Sequence, residues 1–216
     1  MVGVFSLVIA NCTISSMNTL LHVGCGASRI EQTTPGFNDG AWSEVRIDIN
    51  GLNSPDIIGS MTDMSAVHSG SVDAIFSSHN IEHLYPHEVQ IALAEFHRVL
   101  DSQGFCVITC PDIQSVCALV AQDKLLDPAY ISPAGPIAPI DILFGHRPSM
   151  AQGNLFMAHR TGFTEKTLTA TLQEAGFMTV GTMKRPQHFD LWALATKSAV
   201  PEAQIQELAK AHFPKG

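Results

Sequence analysis

The chain has 216 residues, of which 45% are hydrophobic and 15% charged. That content excludes a disordered polymer, and the length suits one domain whose core needs no metal or disulfide staple. Twelve basic residues against twenty acidic ones leave a formal charge of −8, with no basic stripe of the kind that grips nucleic acid.

The first ten residues are apolar. They lack the basic start of a secretion signal and are too short to span a bilayer. We therefore expect residues 1–16 to form a peripheral N-terminal extension and residues 17–216 a single domain. Residues 19–23 make a short apolar run ending at Gly24, which reads as a buried strand. Cys12, Cys25, Cys106, Cys110 and Cys117 are an odd set without a C-x-x-C pair, which points to free thiols in a reducing compartment, the cytoplasm. Residues 45–49, 71–77 and 105–109 are further strands.

Between the third and fourth of these, residues 86–100 carry Val89, Leu93, Phe96 and Leu100 on one helical stripe, with Pro86 in the first turn. Thr164 suits an N-cap, Gly176 a left-handed C-terminal position, and Leu168 and Leu172 the buried face between them. Residues 178–183 and 191–195 form a hairpin-like strand pair, and residues 201–212 a last amphipathic helix. Strands alternating with helices predict an α/β fold with a mostly parallel sheet. Residues 111–162 break the rhythm with six prolines and several glycines, and we expect there a loop-rich insertion acting as a lid.

Gly24-Cys25-Gly26 follows the first strand as a tight turn open to a ligand, and Asp48 ends the second strand. An acidic residue there accepts hydrogen bonds from ribose hydroxyls in doubly wound folds. The dinucleotide fingerprint G-x-G-x-x-G fails, because Arg29 stands at its last position.

Seven segments, in order, resemble the class I S-adenosylmethionine-dependent methyltransferases: Leu21-His22-Val23-Gly24-Cys25-Gly26, Arg46-Ile47-Asp48-Ile49, Thr62-Asp63-Met64, Val72 through His79, Ile81-Glu82-His83-Leu84, Glu95 through Leu100, and Gln103-Gly104-Phe105. The resemblance implies a doubly wound, Rossmann-like sheet of seven strands with the last antiparallel and helices on both faces. It implies S-adenosylmethionine as cofactor and S-adenosylhomocysteine as product, formed when an acceptor oxygen, nitrogen or carbon displaces the sulfonium methyl in line. Gly24 and Gly26 would face the methionyl part, and Asp48, with Ile49 beside it, would hold the ribose. Asp63 would accept the adenine amino group, with Met64 against the ring, and Ser78 and His79 would lie near the sulfonium. Two positions depart from the family pattern: His22 where an acidic residue is common, and Ser28 where a glycine is.

In the expected lid, His146 and His159 each precede an arginine and are the candidate catalytic groups, imidazoles able to take an acceptor's proton near neutral pH. Arg147 and Arg160 could clamp a carboxylate or phosphate, and Tyr130 and Asp141 are lesser candidates. The acceptor expected is a small molecule or a glycan or lipid precursor, with no nucleic acid and no membrane span, and the low charge leaves room for a homodimer interface. A non-catalytic binding or interaction module on the same fold is the alternative. His79-Asn80-Ile81-Glu82-His83 spells H-x-x-E-H, the inverted zincin pattern, but Pro86 follows too soon for a helix carrying both histidines. A zinc hydrolase is therefore the remote alternative, and no metal is expected.

Overall fold

The computed structural model describes residues 17–215, so the expected extension at 1–16 lies outside the described residues. In chain order the strands are β1 (Asn18–Val23), β2 (Trp42–Asp48), β3 (Ile57–Ile58), β4 (Val72–Ser78), β5 (Leu100–Pro111), β6 (Tyr130–Ser132), β7 (Gly135–Ile137), β8 (Thr179–Arg185) and β9 (Asp190–Thr196). The helices are α1 (Pro86–Val99), α2 (Ile113–Val120), α3 (Pro139–Phe144), α4 (Arg147–Ala151), α5 (Glu165–Glu174) and α6 (Glu202–His212).

Seven strands join in the order β3-β2-β1-β4-β5-β9-β8. The first five pair in parallel, and β9 runs antiparallel to both β5 and β8. The order reverses at β1, whose neighbours are β2 on one side and β4 on the other, and such a switch point opens a crevice at the strands' carboxyl ends.

Side chains alternate across this sheet as strand geometry requires. Leu21, Ile75, Cys106, Ile108 and Ala193 face α1 and α5, which supply Leu93, Phe96, Leu168 and Leu172 to one core layer. Leu20, Ala74, Phe76, Val107 and Leu194 face the other way, against Phe37 and the α6 residues Ile205 and Leu208. The stripe expected at residues 86–100 is thus the buried face of α1, and Thr164 Oγ1 accepts from Thr167 N at 3.3 Å to start α5. No α-helix links β1 to β2. Two short 3-10 turns, Ile30–Gln32 and Pro35–Phe37, do so, and Phe37, 1% exposed, shares the covering of that face with α6.

The stretch 111–162 is more ordered than its composition suggests. It holds α2, the β6–β7 hairpin, α3 and α4. Pro139 and Pro148 sit in the first turns of α3 and α4, where a missing N–H costs nothing, so they start helices instead of breaking them. Asp112 Oδ1 caps α2 by accepting from Gln114 N at 3.1 Å. Gly145, at φ +101°, lets α3 approach the turn at Leu155–Met157 so closely that a Cβ there would stand 2.0 Å from the Met157 carbonyl oxygen.

Docking of α6 buries His212, whose Nδ1 pairs with Thr34 Oγ1 at 2.7 Å and whose ring lies 4.3 Å from that of Phe37. Burial, only partly opposed by the Asp39 charge, pushes its pKa down to about 4. The unfolded chain therefore takes up this proton first as pH falls from about 6.5, so the contribution is whole above that pH and is lost towards pH 4. We expect acidification from pH 7 to 4.5 to cost the parent about 2 kcal/mol more than His212→Gln, measured by urea unfolding at both pH values. Equal pH slopes in the two proteins would contradict the assignment.

Candidate active site

The glycine turn after β1 is fixed from three sides. Gly24 and Gly26 have φ of +64° and +53°. A Cβ on Gly24 would stand 2.2 Å from Asn80 Oδ1, so the close approach of these two segments requires glycine. Asn80 Nδ2 donates to the carbonyls of Val23 at 3.1 Å and Ser78 at 2.9 Å, tying the end of β1 to the end of β4. Asp48, 8% exposed at the end of β2, accepts from Gly26 N and Asn50 N, both at 2.7 Å.

Arg46 stands beneath this turn, 1% exposed. Its guanidinium donates to the carbonyls of Gly26 at 2.6 Å, Ser54 at 2.8 Å, Ser28 at 3.1 Å and Asn53 at 3.3 Å. One rigid fork thus holds the glycine turn and the loop after β2 together. Sequence reasoning passed over Arg46. The available signal was an arginine set between the apolar residues Val45 and Ile47 of the strand that ends at Asp48.

A cavity of about 320 Å³ opens at the carboxyl ends of β1, β2 and β4. Gly24, Gly26, Asp48, Ile49, Ser78 and His79, all expected in the site, line it together. Ile49 is 54% exposed, an apolar side chain held at the rim. His79 keeps a left-handed φ of +53° and donates its N–H to the Thr109 carbonyl at 2.9 Å, a strained conformation of the kind found at functional sites.

Asp63 and Met64 are not brought to this cavity. Met64 is fully buried, with its N–H on Glu95 Oε2 at 2.7 Å and its carbonyl on Arg98 Nη2 at 2.8 Å, while Asp63 caps the turn through Ser65 N at 3.1 Å. The Glu95–Arg98 ion pair of α1, 2.6 Å apart, locks this turn against the helix. Ser60 and Met61, after the short strand β3, line the wall instead. Asn154, Phe156, Met157 and Arg160 complete the cavity's lining.

Residues 21–108 match the family model of the methyltransferase domain. The match identifies this stretch, from β1 into β5 with the glycine turn and Asp48, as a methyltransferase domain. No curated protein matches the chain. Solved structures share its fold at low identity. One is a 1,6-didemethyltoxoflavin-N1-methyltransferase from Burkholderia thailandensis, solved with 1,6-didemethyltoxoflavin and S-adenosylhomocysteine bound. It is 14% identical, with a TM-score of 0.53 over 85% of this chain and 72% of that one. A methyltransferase from Archaeoglobus fulgidus is 15% identical, with a TM-score of 0.53 over 85% and 87% of the two chains. Another from Methanosarcina mazei is 17% identical, with a TM-score of 0.53 over 84% and 93%.

A second cavity, of about 360 Å³, shares His79, His83 and Met157 with the first. Residues from 111–162 build much of its wall, among them Tyr130, Asp141, His146 and His159. The two candidate catalytic histidines therefore face this cavity and not the first. His146 Nδ1 pairs with Ser149 Oγ at 2.8 Å, and His159 Nδ1 donates to the Ile142 carbonyl at 2.8 Å. Burial, against the pull of Glu82, holds the His159 pKa below its ordinary value. Arg147 is not free to clamp a ligand, since its Nε lies 2.6 Å from Asp141 Oδ1, and that bond holds the Asp141 carboxyl down at about 2. Arg160 is exposed, with Nη1 on the His83 carbonyl at 2.7 Å and its guanidinium 4.9 Å from the Tyr85 ring centre.

His22 lines neither cavity. It is a residue of β1, 4% exposed, with Nδ1 2.7 Å from Glu44 Oε1. Burial outweighs that carboxylate and lowers the histidine's pKa. Ser28 likewise serves the frame, through its carbonyl on Arg46 Nε. Four cysteines, Cys25, Cys106, Cys110 and Cys117, are free thiols among the described residues. Burial pushes Cys106 up to about 12 and Cys110 well above its ordinary value, so neither is a nucleophile. Among the described residues no helix is long and apolar enough to cross a membrane.

Proposed function

We propose that the protein is an S-adenosylmethionine-dependent methyltransferase, which binds S-adenosylmethionine in the first cavity and presents its methyl to a small-molecule acceptor held in the second. The observation that carries this is the adjoining pair of cavities. One is built on the glycine turn and Asp48 at the switch point of the sheet, and the other is walled by residues 111–162, which act as the lid.

The residues present fit the cofactor. A Cβ on Gly26 would meet nothing within 4 Å, so the backbone there lies open for a chain of atoms to approach. Gly24 and Gly26 would border the methionyl part. Asp48 keeps lone pairs beyond its bonds to Gly26 and Asn50 for two ribose hydroxyls. Ile49 and Met61 offer apolar surface for the adenine ring, with Ser60 at its edge. Bound there, S-adenosylmethionine supplies a methyl group already activated by its sulfonium. The chain's own task is positioning: to aim the acceptor atom at that methyl through the seam at Ser78 and His79, and to exclude water with Phe156 and Met157.

His146 and His159 are the groups in the second cavity suited to receive an acceptor's proton, and His146 alone keeps that role where His159 is engaged as a ligand. The Burkholderia neighbour, solved with a small acceptor beside the product, supports the small-molecule class.

Calorimetric titration tests the first half of this reading, and one mole of S-adenosylmethionine per chain is expected. For the second half, His146→Ala is expected to lower turnover of an acceptor found by screening for S-adenosylhomocysteine release, at unchanged cofactor Kd. Turnover at the parent rate would remove His146 from the chemistry.

A further inference from the structure

The carboxylate of Glu82 is the anomaly of this molecule. The residue is 1% exposed, on the single 3-10 turn Ile81–His83, and neither oxygen has a hydrogen-bond partner among the described residues. A buried carboxylate without donors is costly and calls for a positive partner. His79 Nδ1 comes to 3.3 Å from Oε1 but misses hydrogen-bond geometry, and its side chain is half exposed.

Two further imidazoles converge on the same point. The ligand atoms of Glu82, His83 and His159 all lie within 4.8 Å of one another, and the rings of His83 and His159 meet edge to face at 4.9 Å between centres. Both rings are oriented by main-chain carbonyls: His83 Nδ1 on Ala158 at 3.1 Å, and His159 Nδ1 on Ile142 at 2.8 Å. An Nδ1–H spent on a carbonyl leaves Nε2 with a free lone pair, the tautomer that metal-binding histidines adopt. The lid is sewn to this point as well, since the Glu82 carbonyl accepts from Arg160 N at 2.8 Å and Thr161 N at 3.2 Å.

We propose that Glu82, His83 and His159 form a site for one divalent transition-metal ion, held by two imidazole Nε2 atoms and one carboxylate oxygen. Such a donor set suits Zn²⁺, Fe²⁺, Co²⁺ or Mn²⁺ rather than Ca²⁺ or Mg²⁺, whose ligands are oxygens. Bonds of about 2.0–2.2 Å place tetrahedral ligands about 3.3 Å apart, so the three side chains must close by at most about 1.5 Å. All three line the second cavity, which leaves the ion's remaining positions open on that side. The site stands on these side chains and not on methyl transfer. It departs from the sequence expectation of no metal. It is also not the zincin arrangement, because the glutamate is a ligand and the third ligand comes from the lid.

The test is cobalt titration of tag-free, chelator-stripped protein, followed by the visible absorption of bound Co²⁺ and by elemental analysis after dialysis. We expect one Co²⁺ per chain with saturable absorption bands. Glu82→Gln and His159→Ala should each weaken binding at least 100-fold, while His188→Ala, in the same cavity but outside the triad, binds as the parent does. Circular dichroism establishes that each variant is folded, and if Glu82→Gln is not, His159→Ala alone decides. Absence of saturable binding in the parent overturns the proposal, and so does unchanged binding in His159→Ala. Equal loss in His188→Ala overturns it too, since it would mean diffuse binding by many histidines.

Discussion

Replacing Arg46 with methionine is expected to lower folding stability by about 2–4 kcal/mol and to weaken the cofactor together with it. The side chain is fully buried, and its donors reach the carbonyls of Gly26, Ser28, Asn53 and Ser54. Methionine matches much of the volume but donates nothing, so the cost is that of losing charge-assisted hydrogen bonds from carbonyls drawn inward. Lysine keeps the charge, but one ammonium cannot span carbonyls on two loops, and Arg46→Lys should recover only part of the loss. Urea unfolding of the three proteins, with calorimetric titration of S-adenosylmethionine, gives both quantities. A methionine variant as stable as the parent would mean that Arg46 does not hold the two loops.

Asp48→Asn is expected to weaken S-adenosylmethionine binding by about 2–4 kcal/mol, roughly 30- to 1,000-fold in Kd, with a smaller loss of stability. The carboxylate already accepts from the backbone of Gly26 and Asn50. An amide can serve one of these, but its NH₂ would face the other N–H, and it brings no charge to the ribose hydroxyls. The substitution therefore strikes the shape of the glycine turn and the recognition of the sugar together. Asparagine is a gentler probe than alanine, which would leave the Gly26 and Asn50 amides without any acceptor. A folded variant with the parent's Kd would remove Asp48 from the cofactor site.

The central elements were readable because each carries its own local signal. The β-branched and apolar runs of β1, β4 and β5, the stripe of α1, and the Thr164 and Gly176 boundaries of α5 all depend on nearby residues, and the structure keeps them. Strand order is not local, and the family resemblance supplied only the seven-stranded sheet with its last strand antiparallel.

What stayed hidden depended on contacts distant in sequence. The two-residue strand β3 is too short to show periodicity, and without it the wall next to β2 was assigned to Asp63 and Met64 instead of Ser60 and Met61. Prolines in 111–162 were taken as loop markers because a proline in a helix's first turn and one in a loop look alike until the helix is seen. The meeting of Glu82 and His83 with His159 depends on Gly145 bringing α3 against the turn at Leu155–Met157, a contact no spacing rule encodes.

The most direct test of the central claim is a crystal structure of the protein grown with S-adenosylhomocysteine. The account places the ligand in the first cavity, with the amino-acid end at Gly24 and Gly26, the ribose hydroxyls on Asp48, the adenine between Ile49 and Met61, and the sulfur towards Ser78 and the second cavity. Density for the ligand elsewhere on the chain, or a first cavity holding only solvent at saturating ligand, would contradict it.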